Sequence, residues 1–166
     1  MKKKSIIMII LIIIWCFIIF YASSKTSNES NGKSKELIYN TSKEIVKITN
    51  FFHITKIDLN DEKYFQKIVK KLNYPVRKCA HASVYFVLSI LFILLLNSFS
   101  ISLKKALIIT ISLCFLYSVT DEVHQTFVKG RTGQFSDCVI DTLGAVIGSK
   151  LTLTIIKRKR KVWLET

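Results

Sequence analysis

The 166-residue sequence contains one proline and five glycines, and only 11 acidic residues against 25 Lys and Arg. So little Pro and Gly excludes collagen-like and linker-like chains, and the wealth of Ile, Leu, Phe and Val excludes disorder. The four cysteines, Cys16, Cys79, Cys114 and Cys138, form no C-x-x-C pair. They sit in or beside apolar runs, so neither a disulfide framework nor a zinc site is expected, and they read as small apolar packing residues. What the chain does have is hydrophobic residues, 50% of the total, gathered into long runs separated by lysine-rich stretches. A soluble core needs its apolar residues spread periodically, whereas clustering of this kind is the signature of membrane spans.

Four runs can be placed. Residues 6–21 carry no charge and follow Lys2, Lys3 and Lys4. They read as an uncleaved first span rather than a signal peptide, although Ala22-Ser23-Ser24 would suit a signal peptidase. Residues 80–96 form the second run, 106–121 the third and 138–156 the fourth, which contains Asp141 and Lys150. At a rise of ~1.5 Å per residue, 19 residues reach about 28 Å, close to the hydrocarbon thickness. The expected fold is an all-α membrane protein, a four-transmembrane-helix bundle forming a single domain over 1–166.

Basic residues set the expected orientation. Lys2 to Lys4, Lys104 and Lys105, and Lys157, Arg158, Lys159, Arg160 and Lys161 are opposed only by Glu165. Those ends and that turn are expected on the cytoplasmic side, with both termini inside. The segment 22–78 is then extracytoplasmic. Its 12 basic residues do not forbid this, since it also has six acids and long loops translocate with little regard to charge. Within it, residues 23–35 read as a Ser-, Asn- and Lys-rich linker. A helix capped by Asn60 or Asp61 would place Tyr64, Phe65, Ile68, Val69 and Leu72 on one face and end at Pro75. A weaker pattern runs through Leu37, Ile38, Ile45, Ile48 and Phe52. Such helices would lie on the outer lipid surface or fold as a small cap.

The stretch from Asp121 to Asp141 is the only acidic region, with four acids and two bases, and it coincides with the ends of two spans. Helical spacing sorts its residues into stripes. Lys78, His81 and Tyr85 share one; Tyr117, Asp121 and His124 a second; Ser118, Glu122 and Gln125 a third; Asp137, Asp141, Gly144 and Gly148 a fourth. Asp141 is the most informative member. One turn inside a span it cannot reach water on so short a side chain, and an ionised carboxylate there costs about 2.5–3.5 kcal/mol on insertion scales. It must face the bundle and find a partner, for which Arg131, Lys78, His81 or His124 would serve. Gly144 and Gly148 would let a neighbouring helix approach closely. Glu122 and His124 fall about 200° apart on a helix and cannot share an ion, so no metal or cofactor is expected. The candidate pocket is Lys78, His81, Tyr85, Asp121, Glu122, His124, Gln125, Arg131, Asp137 and Asp141. A purely structural tie between Asp141 and Arg131 is the alternative, but so many polar groups converging on one face favour a functional pocket. The basic tail reads as a topology and lipid anchor, with no nucleic-acid role.

At these residues the chain resembles the VanZ-like family of bacterial membrane proteins. Residues 120–148, T-D-E-V-H-Q-T-F-V-K-G-R-T-G-Q-F-S-D-C-V-I-D-T-L-G-A-V-I-G, are similar to its D-E-x-x-Q-x-F-x-x-x-R block and the D-x-x-x-D/N-x-x-G-x-x-x-G that follows. Residues 76–88, V-R-K-C-A-H-A-S-V-Y-F-V-L, resemble its R-K-x-x-H-x-x-x-Y-x-x-L block, and W-C-F-I-I-F-Y-A-S-S at 15–24 the end of its first helix. The resemblance carries the family's polar positions onto Lys78, His81, Tyr85, Glu122, Gln125, Arg131, Asp137 and Asp141. Ala82 stands where many members have Phe, and Val84 where many have Glu, which removes a possible acid. The founding member is associated with teicoplanin resistance. The resemblance therefore implies a multi-pass protein of the bacterial cell membrane, in contact with lipid, with a polar site and a hint of a role in resistance. The site's outward position and the absence of a nucleophile–base pair point to a pocket that binds a cell-wall precursor, glycopeptide or other envelope component and contributes to resistance or envelope homeostasis. The alternative is a membrane enzyme on a lipid-linked substrate, with Glu122 or Asp141 as general acid or base, His81 or His124 as proton partner and Arg131 as anion clamp. A small transporter ranks last, because no helix shows the Gly/Pro-interrupted pattern of a midplane site.

Overall fold

The computed structural model describes residues 3–165. Lys2 lies outside the described residues, as do the side chains of Arg160, Lys161 and Glu165 in the tail. The described residues form five helices and no strand: α1 (Lys3–Ser23), α2 (Ser27–Phe51), α3 (Glu62–Ser98), α4 (Leu103–Thr126) and α5 (Phe135–Glu165). Four of them, α1, α3, α4 and the Phe135–Lys159 part of α5, are long and apolar enough to cross a membrane. The chain divides into two compact units, residues 1–25 with 80–166 and residues 26–79.

The first unit is packed inside out relative to a soluble protein. Ser89, Thr110, Ser118, Asp121, Glu122, Gln125, Asp141, Ser149 and Thr152 are buried, while Ile108, Leu116, Leu143, Ile147 and Leu151 are exposed. An apolar exterior around a polar interior is the arrangement a hydrocarbon solvent favours, because polar groups then satisfy one another inside the bundle. The interior also holds a cluster of Ile12, Ile19, Tyr85, Leu88, Cys114 and Ala145. Three hydrogen bonds tie α1 to its neighbours: the Trp15 indole N–H donates to the Val84 carbonyl at 2.9 Å, the Tyr117 hydroxyl donates to the Cys16 carbonyl at 2.8 Å, and the Ser5 and Ser98 hydroxyls pair at 3.0 Å. Helices α3 and α5 meet backbone to backbone at the two glycines. A Cβ on Gly144 would collide with the carbonyl oxygen of Ala82, and one on Gly148 would meet the Ser89 hydroxyl and come within 2.5 Å of the Phe86 carbonyl. All four cysteines are free, with Cys114 and Cys138 buried and Cys79 exposed rather than packed.

Each helix runs past the apolar stretch that announced it, because hydropathy marks only the part suited to hydrocarbon whereas backbone hydrogen bonding continues to a cap. The largest difference is at α3. Pro75 was expected to end one helix before the span at 80–96, but it lies inside the continuous helix Glu62–Ser98. Proline forfeits one intrahelical hydrogen bond, a local cost that the flanking turns of a long helix can absorb.

The second unit is an antiparallel pair made by α2 and the first part of α3. The linker expected at 23–35 is helical from Ser27 onward, because Thr26 and Glu29 form a capping box. The Thr26 hydroxyl accepts the Glu29 N–H at 3.3 Å and a Glu29 carboxylate oxygen accepts the Thr26 N–H at 2.9 Å. Of the two capping candidates for α3, Asp61 is the one whose side chain accepts an N–H of the first turn, that of Tyr64, at 3.0 Å. Of the face expected on α3, Phe65 and Val69 are buried, Tyr64 and Ile68 half-buried, and Leu72 exposed. On α2, by contrast, Leu37, Ile45, Ile48 and Phe52 are exposed and only Ile38 of that pattern is buried. The packed face runs instead through Asn31, Ser34, Ile38, Ser42 and Val46. Two of its polar members are matched across the pair, Ser34 donating to Asn73 at 2.6 Å and Arg77 to Asn31 at 2.8 Å, while the Ser42 hydroxyl donates to the Tyr39 carbonyl of its own helix.

Candidate functional site

The polar residues of the first unit gather where the C-terminal end of α4, the turn after it and the first turns of α5 meet α3. On α4, Ser118, Asp121, Glu122 and Gln125 are all buried, and their three- and four-residue spacing puts them on one face. His124 points away from that face. Its ring lies 4.5 Å from that of Phe20, centroid to centroid, on the side of α1.

Hydrogen bonds link the buried face into a chain. Gln125 is the pivot. Its amide nitrogen donates to Asp121 Oδ2 at 3.1 Å and more weakly to Glu122 Oε1 at 3.4 Å, and its carbonyl oxygen accepts from Arg131 Nη1 at 3.0 Å. Arg131 is brought back over the helix end by a tight turn in which its N–H donates to the Val128 carbonyl at 3.0 Å. Gly130 occupies the left-handed region at φ 75°, which other residues rarely adopt. The following loop then locks Glu122: the backbone N–H of Gln134 donates to Glu122 Oε2 at 2.7 Å. Gly133 sits so close to the helix that a Cβ there would lie 2.7 Å from the Glu122 carbonyl oxygen.

Asp141, in the second turn of α5, is 0% exposed. The partner it finds is Ser118, whose hydroxyl donates to Oδ2 at 2.6 Å. Its other oxygen, Oδ1, is buried without a hydrogen bond and lies 3.9 Å from His81 Nδ1 on α3. Of the four partners considered from the sequence, His81 is therefore the one seen beside Asp141, and Arg131 is engaged with Gln125 instead. Tyr85, one turn beyond His81, is fully buried near Ser118, Asp121 and Asp141. Asp137 stands half-buried in the first turn of α5. Lys78 belongs to the second unit, where its ammonium lies 5.2 Å from the centroid of the Tyr74 ring.

Two contributors were not singled out from sequence. Ser118 was on the right stripe, but a serine within a span more often bonds its own helix; the signal was its place one turn before Glu122. Gln134 acts through its backbone, which no side-chain pattern reveals. Divergence of Glu122 and His124 agrees with their angular separation, yet a different set converges. His81, Glu122 and Asp141 each present one ligand-type atom within 4.8 Å of the others.

The VanZ/LLP1 family profile matches residues 8–157. The chain belongs to the VanZ/LLP1 family. No curated protein and no solved structure matches it. The VanZ/LLP1 match covers the second and third span-capable helices, most of the first and fourth, and every residue of the polar cluster. With the inside-out packing of the first unit, it makes the chain a VanZ-like multi-pass membrane protein.

Proposed function

We propose that this VanZ-like protein lies in the bacterial cytoplasmic membrane with both termini inside, and that its polar cluster faces outward to bind an envelope component or glycopeptide. Binding there would lower glycopeptide action or sustain envelope homeostasis. One observation carries the reading: Asp121, Glu122, Gln125 and Arg131 form a hydrogen-bonded chain at one end of the bundle, anchored to the loop by Gln134. A hydrogen-bonded chain of acids, amide and guanidinium suits a ligand rich in amides and hydroxyls, as peptidoglycan precursors and glycopeptides are. The orientation is supported by Lys104 and Lys105 at the opposite end of α4. They lie 18 and 17 residues before Glu122, about 27 Å along the axis at ~1.5 Å per residue, so the lysines and the cluster suit opposite bilayer faces. The unit 26–79 would then be extracytoplasmic, its lysines drawn to anionic envelope polymers.

Detergent-purified protein is expected to bind a lipid-linked cell-wall intermediate or a glycopeptide saturably, with Arg131→Lys weakening it at least tenfold by losing the planar fork. Absence of affinity for both ligand types in equilibrium binding would overturn the proposal.

A second reading, acid–base catalysis on a lipid-linked substrate, draws on the approach of His81 to Asp141 at 3.9 Å with Glu122 beside them. Turnover of such a substrate by the purified protein, abolished by Glu122→Gln, would favour it over binding alone.

A further inference from the structure

We propose that His81, Glu122 and Asp141 form a binding site for one divalent first-row transition-metal ion, with zinc as the fitting probe. The inference goes beyond the reading above and holds whatever the cluster binds from outside. The three residues come from three different helices, α3, α4 and α5, yet their ligand-type atoms lie within 4.8 Å of one another. Glu122 is 6% and Asp141 0% exposed, and His81 is half-buried.

The independent observation is Asp141 Oδ1. Its sister oxygen is fixed by Ser118 at 2.6 Å, so Oδ1 has a set direction, and it is buried in the cluster without a hydrogen bond. A buried carboxylate oxygen left in that state is costly unless something else coordinates it. His81 Nδ1 stands 3.9 Å from Oδ1, beyond hydrogen-bond length, a separation that leaves room for an ion between two ligands. With metal–ligand distances of about 2.0–2.2 Å, neighbouring ligands of a tetrahedral ion sit roughly 3.3 Å apart, so modest side-chain movement closes the set.

Charge and ligand type agree. Two carboxylates balance a dication, and one imidazole nitrogen with two oxygens favours zinc, iron, cobalt or manganese over magnesium or calcium. Partners outside the trio hold two of the three in place: Ser118 holds Asp141, and the Gln134 N–H holds Glu122 at 2.7 Å. Three protein ligands would leave a coordination position open to water or to an oxygen of a bound molecule.

The test uses full-length protein in detergent, stripped with chelator and titrated with Zn²⁺ and Mg²⁺ by calorimetry, followed by X-ray absorption of the zinc-loaded wild type. The expected result is one Zn²⁺ per chain, held at least 100-fold more tightly than Mg²⁺, in a shell of nitrogen and oxygen only. His81→Gln and Asp141→Asn should each weaken zinc at least 100-fold, Ser118→Ala by roughly 10–100-fold, and His53→Gln not at all. No stoichiometric zinc, a sulfur-containing shell, or affinity unchanged in both His81→Gln and Asp141→Asn would overturn the proposal. The wild-type stoichiometry and absorption spectrum decide it even if a variant fails to fold.

Discussion

Gly144→Ala is expected to destabilise the bundle by about 1–3 kcal/mol, the usual range for overpacking, even though alanine is the better helix former. The added methyl has no room, since the atom it meets is the backbone carbonyl of Ala82 and not the end of a flexible side chain. Relief requires α3 and α5 to move apart, which would also separate His81 on one from Asp141 on the other. Gly32→Ala is the matched control. It makes the same change within a helix at a site with nothing within 4 Å, so it should gain roughly 0.5–1 kcal/mol from propensity alone. Denaturant or thermal unfolding in detergent micelles, read by circular dichroism, measures both. Equal effects of the two substitutions would show that the helices do not approach at Gly144.

Arg131→Gln should have the second large effect. Arg131 brings a cation into a cluster where Asp121, Glu122 and Asp141 are buried, and reaches it through Gln125 at 3.0 Å. Taking one partner out of a buried charged network leaves the others uncompensated, which costs roughly 3–5 kcal/mol when burial is complete. Since Arg131 is only half-buried, a loss of about 3 kcal/mol is expected. Arg131→Lys keeps the charge and should cost far less, although it loses the fixed fork that meets the Gln125 carbonyl. The same unfolding assay checks this, and adding Asp121→Asn to Arg131→Gln should recover part of the loss by removing one unmatched acid.

The spans were legible because hydrocarbon imposes a demand that composition alone reveals: long uninterrupted apolar runs. The intramembrane acid was legible for the converse reason, since Asp141 is expensive there unless partnered. Its partner was harder to read. Spacing offered four basic candidates, whereas a neutral hydroxyl, Ser118, holds one oxygen and His81 faces the other. Which residue answers an acid depends on helix rotation and separation, and here Gly144 and Gly148 set how near α3 comes. The segment 26–79 was misread where local signals competed. A polar composition suggested a linker at 23–35, but the Thr26–Glu29 capping box starts a helix there. The apolar pattern Leu37, Ile45, Ile48 and Phe52 pointed to the wrong face because α2 packs through Ile38 and Val46 together with Asn31 and Ser34, whose contacts across the pair are hydrogen bonds.

The central claim is that the buried ionisable cluster serves a function and not only helix packing. His81→Gln, Glu122→Gln, Arg131→Lys and Asp141→Asn, each preserving approximate size and hydrogen bonding, test it when expressed at equal level in a bacterium lacking the native gene and scored for glycopeptide susceptibility. The expected result is susceptibility equal to that of the empty host, with membrane-protein abundance unchanged. Susceptibility identical to wild type, or loss that merely tracks a fall in abundance, would contradict the account.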